Sequence, residues 1–153
     1  MLITDQKPVE LLNHLIEVNN DRQESYQQVV HVTGVPVLKS LFSRLAETSA
    51  LCKEELCNEI FKLGGRPEME TVAAPELFAS WFDLMKALQE NNHEEILVSC
   101  AREENAVLTS YEKAMMEEDE HITTQHFKLF NRQHELLQAD SEKVKNLLQV
   151  LHG

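Results

Sequence analysis

Residues 97–115 read LVSCAREENAVLTSYEKAM. Leu97, Cys100, Glu104, Leu108, Tyr111 and Met115 recur there every three or four positions, which on an α-helix aligns all six side chains along one face. Five of them suit an apolar core. Glu104 stands where a leucine is expected, and a carboxylate facing a core is costly unless it is paired, protonated or bound to a metal. The stretch settles the fold class as helical and raises the functional question of what that acid meets.

The same periodicity, followed outward, predicts helices over about 8–31, 37–63, 94–117 and 122–151. The first opens at Pro8, a good first-turn residue, and carries Leu12, Leu15, Ile16, Tyr26, Val29 and Val30 on one side. Thr33-Gly34-Val35-Pro36 ends it in a turn of about five residues, so the second helix should return antiparallel. That second stripe runs Leu38, Leu41, Phe42, Leu45, Cys52, Leu56, Ile60, Leu63, and Gly64-Gly65 supplies its stop. The last helix should face Phe127, Phe130, Leu137, Val144, Leu148 and Leu151 inward. Between the second and third lies a longer passage: a loop over 64–74, then a short apolar pattern over 75–89 with Leu77, Phe78, Trp81, Phe82, Met85 and Leu88. A single helix from Pro75 to Glu117 would reach roughly 65 Å against roughly 40 Å for the second helix, so Asn91-Asn92 must break it. Two short turns around one long link can place the second and third helices parallel, the link crossing the bundle's height with a short extra helix in it.

Composition agrees. Only 4 glycines and 4 prolines occur in 153 residues, and the length suits one domain spanning 1–153 with a real core. Against 26 acids stand 14 Lys and Arg, and a net charge of -12 repels nucleic acid and anionic membrane surfaces. The three cysteines, Cys52, Cys57 and Cys100, form no C-x-x-C pair and fall inside helical patterns, so no disulfide framework is expected. The first 18 residues lack a basic region and an unbroken apolar run, and the expected location is cytoplasmic.

The stretches LFSRLAETSALCKEEL (41–56), SWFDLMKAL (80–88) and CAREENAVLTSYEKAM (100–115) together resemble a bacterial ferritin-like four-helix-bundle family of uncharacterised function. The similarity covers roughly residues 9 to 150 and is carried by Trp81-x-Asp83-Leu84 and the Cys100 to Tyr111 stretch. It implies a bundle with a long crossover between the second and third helices. About activity it implies little, since a fold does not dictate a function.

Ferritin-like iron and manganese carboxylate proteins take one inward Glu from each of two helices and Glu-x-x-His from the other two. Here Glu-x-x-His occurs at Glu90 to His93 and Glu118 to His121, both at helix junctions. At mid-height the second helix shows Thr48, Ser49 and Cys52, and the last shows Gln133 and His134 with Asn131 where a ligand Glu would stand. The first shows Asn19, Arg22 or Gln23, and Tyr26; only the third keeps its acid, Glu104. The expectation is a buried polar layer of Tyr26, Cys52, Glu104 and Gln133, in which Glu104 meets Tyr26, Arg22, Gln133 or His134. The alternative is a reduced iron, manganese or zinc site on Glu104 and His134, with Asp140 or Cys52 as further ligands. Cys52 and Cys100 read as packing residues, and His14, His31, His126 and His152 as surface ones. No phosphate loop, Ser-His-Asp order or catalytic dyad is visible. The expected function is a non-enzymatic interaction or stress-associated module with no cofactor, acting on a protein partner or as a homo-oligomer through residues such as Phe78 and Phe82.

Overall fold

The computed structural model describes residues 6–67, 84, 86–117 and 123–152. Most of them lie in four long helices: α1 Gln6–Val32, α2 Pro36–Lys62, α3 His93–Met115 and α4 Thr124–His152. Among the described residues there is no strand, and the molecule is an all-α bundle. At 1.5 Å per residue the helices are roughly 35–45 Å long, well matched for packing side by side.

Each boundary has a local cause. The link from α1 to α2 is three residues, Thr33 to Val35, shorter than expected because Pro36 itself begins α2, where its missing N–H breaks no bond. Inside the link the Val35 N–H donates to the Thr33 hydroxyl at 3.2 Å. At the end of α2, Gly64 adopts φ +79°, a left-handed conformation that suits glycine, and the Gly65 N–H then reaches the Ile60 carbonyl at 3.0 Å. Asn92 caps α3 by accepting the Glu95 N–H at 3.1 Å, with Glu94 and Glu95 set against the positive end of the helix dipole. Thr123 caps α4 in the same way, accepting the His126 N–H at 3.1 Å.

Hydrogen bonds between helices define their directions. Lys53 reaches Asn20 while Arg22 reaches Leu45 and Ser49, so α2 runs antiparallel to α1. Asn19 meets Tyr111 while Arg22 and Tyr26 meet Glu104, so α3 is antiparallel to α1 and therefore parallel to α2. Helix α4 opposes α3 through Tyr111–Gln133 and α2 through Glu55–Arg132 and Glu59–His126.

Among the described residues two apolar clusters form the core. One, at the end where α1 begins, gathers Leu12, Leu15, Ile16, Leu56, Ile60, Val107 and Phe130. The other gathers Val29, Leu38, Phe42, Leu45, Ile96, Leu97 and Val144, joined by Leu84 and Ala87 from the link before α3. Burying each such Leu, Ile or Phe contributes about 1.5–3 kcal/mol. The clusters leave the bundle's middle to polar side chains.

Three expectations need correction. Phe127 is 43% exposed, because His126 takes the inward position of the first turn of α4. His126 is accordingly buried, where a surface histidine was expected. Leu63 is exposed, since it caps α2 beyond the last core-facing turn. Of the short helix expected over 75–89, residues 84 and 86–89 are helical; Phe78, Trp81 and Phe82, and the turn at 118–121, lie outside the described residues.

Candidate functional site

Ser49 and Glu104 stand at the midpoints of α2 and α3, and Arg22 and Asp140 lie within one turn of the midpoints of α1 and α4. All four side chains are buried and converge between the two apolar clusters. Arg22 is the hub. Its Nε donates to Glu104 Oε2 at 3.0 Å and its Nη2 to Glu104 Oε1 at 2.7 Å, a two-pronged pairing that matches the guanidinium's flat fork to the carboxylate. Nη2 also donates to Asp140 Oδ2 at 3.3 Å, while Nη1 donates to the Leu45 carbonyl at 2.7 Å and the Ser49 hydroxyl at 2.9 Å. Five donors find five acceptors on three other helices, as a buried arginine requires.

Glu104 is equally committed. Besides Arg22 it accepts the Tyr26 hydroxyl at 2.8 Å, and the Tyr26 ring lies under the guanidinium at 5.5 Å and stacks on Phe42. Asp140 has a second neighbour in the exposed Arg44, whose Nε is 3.7 Å from Oδ1. Burial alone would lower the Arg22 pKa, but Glu104, through its charge and hydrogen bonds, with smaller help from Tyr26 and Asp140, pushes it above its ordinary range. Burial and then the Glu104 charge raise the Tyr26 hydroxyl well above the usual phenol range. Burial pushes the Cys52 thiol up to about 12, and burial with Glu104 raises Cys100. The layer thus holds a guanidinium kept charged and a phenol kept protonated, with buried thiols beside it pushed toward their protonated form.

A second polar tier lies toward the beginning of α1. Asn19 donates to the Leu15 carbonyl and the Tyr111 hydroxyl, each at 2.8 Å, and Tyr111 donates to Gln133 Oε1 at 2.6 Å. Gln133 Nε2 donates to the Cys52 carbonyl at 3.2 Å and to Glu55 at 3.0 Å. Farther along, His126 sits 3.4 Å from Glu59, which also receives Lys62 at 2.9 Å.

Of the residues singled out in the sequence, Tyr26 and Glu104 share the Arg22 tier, while Gln133 and Cys52 belong to the next tier, Cys52 by its carbonyl. His134 does not join Glu104: it pairs with the exposed Glu112 at 2.9 Å. His93 of the first Glu-x-x-His bonds Asn91 in the turn before α3, and the second such motif lies outside the described residues. Among the described residues no three His, Cys, Asp or Glu side chains are grouped as a metal would need. A cation entering between Glu104 and Asp140 would have to displace the guanidinium that bridges them. Sequence reasoning missed the Glu59–His126 pair, although His126 precedes Phe130 by one helical turn and Glu59 follows Leu56 by three residues.

No curated protein matches the chain. A family model described as a domain of unknown function, DUF2383, matches residues 7–117. The match takes in Arg22, Tyr26, Ser49 and Glu104 and stops short of α4, which carries Gln133 and Asp140. Since that match spans more than half of the 153 residues, the chain belongs to the DUF2383 family, a domain whose function is unknown.

Proposed function

We propose that this protein is a ferritin-like bundle that works as a non-enzymatic interaction module, its middle layer closed by its own guanidinium in place of a metal. The link between α2 and α3 would be the long crossover, with the short extra helix predicted over 75–89 within it. What supports the reading is the saturation of Arg22 and Glu104: every N–H of the guanidinium and both carboxylate oxygens are bound to each other or to Tyr26, Leu45, Ser49 and Asp140. A catalytic acid, base or nucleophile needs a free lone pair or proton near working pH, and these groups are committed to one another. The layer acts as structure, pinning helix rotation and register, the best-attested use of buried polar groups. Function then falls to the surface, toward a protein partner or another copy of the chain, in a bacterial cytoplasm; a stress association is an analogy with the wider superfamily.

Elemental analysis of protein purified without chelator tests this. Less than about a tenth of an equivalent of iron, manganese or zinc is expected, because carboxylates already neutralised by Arg22 attract a cation weakly. Stoichiometric metal that disappears in Glu104→Gln would refute the proposal in favour of the metal-binding alternative at Glu104, and its loss in His134→Ala as well would bring His134 into that site.

A further inference from the structure

Acids outnumber basic residues 26 to 14 in this chain, yet residues 36–46 and 143–152 contain Lys39, Arg44, Lys143 and Lys145 and no acid, the nearest in sequence being Glu47 and Glu142 at their edges. These two stretches are the start of α2 and the end of α4, which the antiparallel packing of those helices sets side by side. Between them runs an open, shallow groove of about 440 Å³, lined by the apolar Val37, Leu41, Leu147 and Val150 together with Arg44 and Lys143. Val37 is 53% and Val150 72% exposed, unusual for residues of this kind placed together. Lys39 and Arg44 line the adjoining polar recess together with one acid, Glu47.

We propose that this groove docks an acidic amphipathic helix of another protein. Its apolar residues supply a slot for an apolar ridge spaced at three and four residues, and Arg44 and Lys143 supply cations for the carboxylates beside that ridge. Charge decides between occupants. A symmetric contact with a second copy would set Lys39, Arg44 and Lys143 against their own counterparts, a like-charge arrangement. An anionic membrane or nucleic acid is an extended polyanion and meets the whole charge of -12, whereas a single short helix meets chiefly the basic residues of the groove within a Debye length of about 8 Å. The inference rests on the reading of the protein as an interaction module and names the chemistry of its partner.

The probe is a synthetic peptide of about 18 residues with Leu on one helical face and Glu on the other, long enough to form a helix once docked. Amide chemical shifts should move at Leu41, Leu147 and Val150, with affinity at least about tenfold above that of the same peptide carrying Lys for Glu. Lys39→Glu combined with Lys143→Glu changes two exposed side chains, leaves the fold intact, and should weaken binding about tenfold. Equal binding of both peptides, shifts confined to other faces, or no binding at all would overturn the proposal. So would tight binding to phosphatidylglycerol vesicles lost in the double variant, or a dimer in sedimentation that the double variant alters. Metal content is measured independently, so failure of the groove and failure of the module reading are distinguishable.

Discussion

Replacing Arg22 by Met is the sharpest test of the central layer. Met fills most of the same space, so the cost of a cavity is small and the loss is electrostatic. Removing one partner of a buried ion pair costs about 3–5 kcal/mol, because the remaining charge is stranded. Here two carboxylates, Glu104 and Asp140, lose their cation, and the Leu45 carbonyl and Ser49 hydroxyl each lose a donor, which puts the expected cost near the top of that range, about 5 kcal/mol. For a chain of this size that lowers the melting temperature by roughly 10–20 °C. An unpaired buried carboxylate is relieved by taking up a proton, so the variant, unlike the parent, should gain stability as pH falls from about 8 to 5. Adding Glu104→Leu and Asp140→Leu removes the stranded charges and should recover most of the loss, as apolar replacement of buried ion clusters does elsewhere. Urea and thermal melts of the three proteins across pH decide it. A loss below about 1 kcal/mol in Arg22→Met, or no recovery in the triple variant, would show that the network is not what holds the middle of the bundle.

The two tyrosines provide a pH test. Tyr26 and Tyr111 both have folded-state pKa values raised above the unfolded value near 10, so their contribution is complete below about pH 10 and is lost as pH climbs toward the folded values. Stability should fall by up to about 1.4 kcal/mol per pH unit for each tyrosine above pH 10, and phenolate absorbance should appear only with unfolding. Gln133→Leu strips the Tyr111 hydroxyl of its acceptor and the Cys52 carbonyl of a donor, and should cost about 2–3 kcal/mol in urea melts. Thiol titration at pH 8 should modify Cys57 first, since Cys52 and Cys100 are buried with raised pKa values; equal rates for all three would contradict the packing.

Much of the architecture lies in local pattern. Helical extents, the stop at Gly64-Gly65, the break at Asn91-Asn92 and the inward place of Glu104 follow from spacing, capping chemistry and glycine's freedom, properties of residues a few positions apart. Spacing also narrowed the α1 contribution to Arg22 or Gln23 without choosing, because adjacent positions both border the stripe. Where pattern competed with residue type, pattern was the better guide: Phe127 reads as core by type, yet the phase of Phe130, Gln133 and Leu137 puts His126 inward instead.

What Glu104 meets belongs to another level. Its partner Arg22 is 82 residues away and Asp140 lies 118 residues from Arg22, so their meeting depends on the rotation and axial offset of separate helices. A difference in offset of about two turns would have brought Gln133 to the same carboxylate. Periodicity says which face an acid occupies; only packing of four helices, each with its own apolar clusters to bury, sets which side chain stands opposite it.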